Sequence, residues 1–159
     1  MSNHSAEATG GCGAGYKARI QITEEGIYNL IVGKGGYSIH GGGGTHAAEN
    51  GEDSKIIKNG TTLLNVGGGS KATTTTTSAT AGTGGKIKTN NLNEIEVYTK
   101  TNGNNGTKAG KGGVAKSPAA PIPGHTWGQS GQAKAYYSGG NVSPGYHGYM
   151  KIVYKGKAS

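Results

Sequence analysis

Groups able to act as acids, bases or nucleophiles are scarce and badly spaced in this sequence. Asp53 is the only aspartate among eight acidic residues. Glu24 and Glu25 fall where a turn is expected. Glu94 and Glu96 alternate on an expected strand, and a solvated strand face is a plainer reading of that spacing than a general acid–base pair. No Gly-x-Ser-x-Gly elbow occurs. Gly110-Lys111-Gly112 lacks the upstream spacing and the Ser/Thr of a phosphate loop. Gly33-Lys34-Gly35-Gly36 opens no helix, so it fails as a dinucleotide turn. Of the five histidines, His40 and His46 are split by a glycine run and His125 and His147 lie far along the chain. With Cys12 as the one cysteine, no regular set of metal ligands emerges, and no intrachain disulfide can form. The expectation is a protein that is not an enzyme, with no catalytic residues, no metal and no cofactor.

Residues suited to contact are better supplied. There are nine tyrosines and one tryptophan but no phenylalanine. Tyr28, Tyr98 and Tyr154 fall on expected strands, where they would make up the small core. Trp127 sits near His125 in a Pro/Gly-rich stretch, and Tyr136 and Tyr137 are adjacent. Aromatics on glycine-held loops form rigid contact platforms at low entropy cost. Five threonines run over 73–77 in a second irregular segment. The candidate ligand-binding residues are therefore Thr75, Thr76, His125, Trp127, Tyr136 and Tyr137, in loops 73–80 and 125–137. Net charge is +8, with sixteen basic residues, of which only Arg19 is arginine. So few arginines argue against RNA-binding tails that stack and fork through guanidinium groups. Dispersed lysines favour a diffuse attraction to anionic surfaces. No stretch reaches the roughly 18 apolar residues of a membrane span. Residues 1–5 lack the basic-then-apolar pattern of a leader, so none is expected there.

The elements that must position such loops are unusual. Glycine makes up 33 of 159 residues, in clusters, and only 31% of residues are hydrophobic. A chain of this composition cannot rest mainly on a bulky core. Helix periodicity is absent, and strand signals lie between the glycine runs. Ala18, Ile20 and Ile22 alternate with polar residues, and 27–32 returns after Gly26, which predicts a hairpin. Asn59-Gly60 predicts a second hairpin with arms 54–58 and 61–66. Residues 94–99 alternate strictly. Residues 149–155 predict a closing strand that ties down the C-terminus. Between them, extended helices of the polyproline II type have outward-pointing backbone groups that need partners when buried. Close-packed glycine segments can supply those partners.

The unit Ile20-Gln21-Ile22-Thr23, then Gly26 to Gly36 ending in Val32-Gly33-Lys34-Gly35-Gly36, resembles the strand–turn–glycine unit of glycine-rich domains in phage tail-fibre (adhesin) tips and bacterial surface proteins. Asn50-Gly51-Glu52-Asp53-Ser54, the run Gly67-Gly68-Gly69 and the terminal 148–154 fit the same layout. The resemblance spans about 10–155. It implies a mainly β fold: a small β-sandwich-like scaffold with packed glycine-rich, polyproline II-type extended helices and almost no α-helix. It also implies loops that touch a host receptor. Such domains usually begin with an apolar strand, whereas 1–9 here is polar. We therefore expect a polar N-terminal arm over 1–9, open to strand exchange between chains, and a single glycine-rich β domain over 10–159.

The expected function is a non-enzymatic binding module. It would recognise a bacterial surface glycan or outer-surface protein, from a virion or an extracellular cell surface. A homo-oligomer or part of a larger fibre is expected, with no nucleic acid partner and no membrane insertion. The alternative is a self-assembling structural subunit of an extracellular filament or virion appendage, which exposed strand edges would serve.

Overall fold

A computed structural model describes residues 7–36, 49–74, 78–109, 114–116, 118–120, 132–134, 146–153 and 155–156. Among them the chain is mainly β, with no helix and with every strand pairing antiparallel. The largest sheet has four strands: β3 (Tyr28–Ile31), β4 (Ser54–Lys58), β5 (Thr61–Val66) and β8 (Ile87–Asn90), in the order β3-β4-β5-β8. A two-stranded ribbon joins β2 (Gly15–Ile20) to β9 (Glu94–Thr101). A three-stranded sheet places β1 (Glu7–Thr9) between β10 (Lys108–Ala109) and β11 (Gln132–Lys134). A short hairpin pairs β6 (Thr73–Thr74) with β7 (Ala79–Thr80).

The β4–β5 hairpin forms over the expected arms. Asn59 (φ 48°) and Gly60 (φ 77°) both take the left-handed conformation that a two-residue primed turn requires. The turn fixes the register, so Leu30, Ile56 and Leu64 line up across three strands. Among the described residues, Ile56 and Leu64 are the large aliphatic side chains that are buried. The strand expected over 94–99 is present as β9, two residues longer.

Two expectations are corrected. Residues 18–22 and 27–32 do not form a hairpin: β2 pairs with β9, and β3 pairs with β4. The seven-residue connection 21–27 crosses between two sheets instead of turning back on one. Its Glu24 is drawn to β4, where Lys58 Nζ lies 2.7 Å from Glu24 Oε2, while Tyr28 O–H donates to the Glu24 carbonyl. The closing strand expected over 149–155 is also absent from the described residues there. Gly148 N–H donates to Gly33 O, and beyond that anchor Ile152 and Val153 stay exposed.

Residues 9–14 show how the glycine segments pack. Thr9 and Cys12 N–H donate to Thr107 and Asn104 O; Gly11 and Ala14 N–H donate to Ser70 and Gly67 O. Thr9 and Cys12 O accept from Gly82 and Gly85 N–H. Along each of these three neighbours the partner advances three residues at a time. The neighbours also bond to one another at the same interval: Ser70 and Gly67 N–H to Thr83 and Lys86 O, and Gly103 and Gly106 N–H to Gly85 and Gly82 O. Side chains are excluded where the backbones meet. A Cβ on Gly69 would overlap Gly11 O, and one on Gly103 would overlap Cys12 O. The buried residues here are small: Ala8, Thr9, Cys12, Ala72 and Ala115.

The polar segment 1–9 has its last three residues inside this structure. Glu7, Ala8 and Thr9 form the central strand of their sheet and are all buried. Their polarity is met by backbone. Glu7 Oε2 accepts from Ala115 N–H, and Thr9 Oγ1 accepts from Thr107 N–H at 2.8 Å.

Candidate functional site

Thr75, Thr76, His125, Trp127, Tyr136 and Tyr137 all lie outside the described residues. Their stems do not. The threonine segment leaves β6 and returns through β7, with Thr73 opposite Thr80. The aromatic segment flanks β11, which pairs with β1 from Glu7↔Lys134 to Thr9↔Gln132. β6 and β7 lie beside β1, and β11 lies beside β6. Two loops far apart in sequence are thus rooted on neighbouring strands around one buried strand. That convergence was not readable from composition, because β1 is three residues long and polar.

The base of this platform is rigid for a physical reason. Thr9 and Cys12 have no exposed surface, and Cys12 Sγ lies 3.3 Å from Ala119 O. The backbone bonds of 9–14 run outward to three neighbours. Moving β1 would break bonds on several sides at once, and each buried group left unmet costs about 1–3 kcal/mol.

The ribbon carries a second group of polar side chains. Lys17 and Arg19 on β2 alternate with inward residues, and Lys17 Nζ lies 5.6 Å from the centre of the Tyr98 ring on β9. Tyr98 O–H donates to Glu96 Oε2 at 2.6 Å, which raises the Tyr98 pKa. Tyr98 was expected in the core, yet it is 53% exposed. The core reading fails because β9 pairs on one edge only, and this part of it faces solvent beside the two basic residues of β2. The signal was available: Lys17 and Arg19 alternate along β2, and the face they mark is open.

Glu94 and Glu96 do not act as a pair. Glu94 accepts from Tyr16 O–H at 2.8 Å and from the Asn90 side chain, with Lys100 Nζ 3.4 Å away. Hydrogen bonds from Asn90 and Tyr16, with the Lys100 charge, hold the Glu94 carboxyl below its ordinary range. Burial, then the bond to Glu94, pushes the Tyr16 phenol well above its own. An ionised carboxylate fixed by three partners is a strut across the ribbon, not a proton donor.

Two further ion pairs are structural. Lys58 is buried beneath exposed Glu24 and lies 5.2 Å from the Tyr28 ring centre. Asp53 accepts from Lys88 at 2.7 and 2.9 Å and from Gly68 N–H at 3.2 Å. Burial works to raise the Asp53 pKa, but the bonds from Lys88, Gly68 and Asn65 outweigh it and hold the carboxyl below its usual value. Among the described residues no three His, Cys, Asp or Glu side chains gather as metal ligands. No family model, curated protein or solved structure matches the chain.

Proposed function

We propose that this chain is a non-enzymatic binding module in which a glycine scaffold holds two recognition loops. The observation that carries the reading is the convergence of β6, β7 and β11 on the buried strand β1. It roots parts of segments 73–80 and 125–137 on neighbouring strands, which supports reading Thr75, Thr76, His125, Trp127, Tyr136 and Tyr137 together as the recognition residues of this proposal. The scaffold we propose is a small β-sandwich-like pair of sheets joined to a bundle of polyproline II-type helices. The three-residue interval between bonded neighbours supports it, since that helix repeats every three residues and makes no internal hydrogen bonds.

The partner we propose is a bacterial surface glycan or outer-surface protein, met from a virion or an extracellular surface. Aromatic rings would stack on the ligand, and the +8 charge would raise the encounter rate with anionic envelopes. A second reading is a self-assembling appendage subunit. It is favoured by the exposed apolar residues Ile27, Leu30, Ile31 and Val32 on and beside the edge strand β3.

Labelled protein and its Trp127→Ala/Tyr136→Ala variant, applied to a panel of bacterial cells at low and high salt, test the first reading. Strain-selective binding that survives salt and drops in the variant is expected. Binding that vanishes with salt equally in both proteins would leave only lysine charge and sink the proposal.

A further inference from the structure

The sequence holds four Asn-Gly pairs: Asn50-Gly51, Asn59-Gly60, Asn102-Gly103 and Asn105-Gly106. This dipeptide carries a reaction of its own. The glycine nitrogen can attack the carboxamide carbon of the asparagine before it, and no side chain shields that nitrogen. The attack needs a glycine N–H released from its hydrogen-bond acceptor. It also needs a carboxamide free to swing round and backbone room to close a five-membered ring. The fold grants these conditions unequally.

Three of the pairs are held by the close-packed segments. Gly51 N–H donates to Gly69 O and Gly103 N–H to Gly85 O, both at 2.9 Å, and Gly106 N–H donates to Gly82 O at 2.8 Å. Two of the carboxamides are held as well: Asn50 Oδ1 accepts from Lys71 N–H at 2.9 Å, and Asn105 Oδ1 accepts from Gly84 N–H at 2.8 Å. The Asn102 side chain is exposed, but Gly103 beside it is hemmed in by main chain, where a Cβ would overlap Cys12 O. At Gly106 a Cβ would overlap Thr9 O. Asn59-Gly60 is different. Both residues are exposed at the tip of the β4–β5 hairpin, and nothing lies within 4 Å of a Cβ built on Gly60. Among the described residues neither Gly60 N–H nor the Asn59 carboxamide has a hydrogen-bond partner.

We infer that Asn59 is the site at which the folded protein deamidates, with water as the co-reactant, and that the glycine packing spares the other three asparagines. Gly60 N gives up its proton and bonds to Asn59 Cγ. The carboxamide nitrogen takes up a proton and leaves as ammonia. One water then opens the succinimide ring that remains. Opening at the side-chain carbonyl gives aspartate; opening at the main-chain carbonyl gives isoaspartate. No electrons are transferred, and the sum is one water in and one ammonia out. Either product lowers the net charge of +8 by one. Isoaspartate also adds a methylene to the main chain inside the two-residue turn that sets the β4–β5 register. The inference does not depend on what the loops bind.

Peptide mapping by mass spectrometry on the whole chain tests it. The protein is aged in mildly alkaline buffer, folded and in concentrated urea, with water enriched in heavy oxygen so that each hydrolysis is marked. Each asparagine's rate in the folded protein is divided by its own rate in urea. The ratio for Asn59 is expected to exceed those for Asn50, Asn102 and Asn105 by at least about tenfold, because those three wait on local opening of packed backbone. Asn102 or Asn105 converting in step with Asn59 in the folded protein would overturn the inference. So would an Asn59 that stays intact when folded yet converts in urea, which would mean that the turn itself holds the carboxamide off the nitrogen.

Discussion

Two glycine-to-alanine changes separate backbone packing from backbone conformation. A Cβ on Gly103 would overlap Cys12 O and crowd Gly13 O, all main-chain atoms with no flexible side chain to yield. Fitting it means moving the 103–106 segment away from 9–14. That threatens two bonds, Gly103 N–H to Gly85 O and Cys12 N–H to Asn104 O, both 2.9 Å. Each buried donor left unmet costs about 1–3 kcal/mol, and overpacking adds about 1–3 kcal/mol. Alanine's smaller unfolded-state entropy returns only about 0.4–1 kcal/mol. A net loss of about 2–9 kcal/mol is expected, a large share of the 5–15 kcal/mol that holds most domains. For a chain of this size that is about 4–36 °C in Tm. Gly60→Ala is the control: nothing lies within 4 Å of its Cβ, and only its φ of +77° is unfavourable, a cost of about 1–2 kcal/mol. Urea and thermal unfolding of both variants measure the difference. If Gly103→Ala costs no more than Gly60→Ala, the close backbone packing described for 9–14 is wrong.

Leu64→Ala empties a large aliphatic position that is buried, Leu64 being 4% exposed; a loss of about 2–5 kcal/mol is expected in urea unfolding. Asp53 has a folded pKa below its unfolded one, so its contribution is present above about pH 4 and fades as pH falls through the folded value. Asp53→Asn should therefore lower stability at pH 7 by about 0.2–1 kcal/mol, as suits a partly exposed ion pair, and flatten its acid limb in a pH series of melting curves. Tyr16→Phe removes a donor to Glu94. A loss of about 1 kcal/mol is expected, with the Glu94 carboxyl moving back toward its ordinary range in an NMR titration; an unmoved Glu94 would mean that Asn90 and Lys100 suffice.

Local signals in the sequence were reliable where local physics decides. Asn59-Gly60 needs positive φ at both positions, and that alone set the β4–β5 arms. Strict alternation over 94–99 marked β9. Partner choice was not legible, because β2 finds its partner some eighty residues away and the turn at Glu24-Glu25-Gly26 resembles a hairpin turn while serving as a crossover. Glu7 and Thr9 read as solvent-exposed because polarity usually means exposure. Where backbones pack closely, buried polar side chains such as Glu7 and Thr9 find backbone partners, so that rule reverses. Tyr98 departs from expectation for a related reason: with no phenylalanine the tyrosines are expected to fill a core, whereas the buried hydrophobic side chains among the described residues are Ile56, Leu64, Cys12 and small alanines. The candidate loops could be named from composition, but their common root on β1 depends on pairings between segments more than a hundred residues apart.

The three-residue bonding interval around 9–14 also bears on temperature. Unfolding an ordinary domain exposes mainly apolar surface, which raises the heat capacity and curves stability against temperature. Unfolding the closely packed segments around 9–14 exposes mainly peptide groups, and polar exposure lowers the heat capacity. The rise per residue should fall below the usual 12–15 cal/mol/K. A shallow curve follows, nearly level across tens of degrees, with cold unfolding displaced to lower temperature. A scaffold built this way keeps nearly the same stability in cold water as in warm, because so little of it is drawn from the ordering of water around oil.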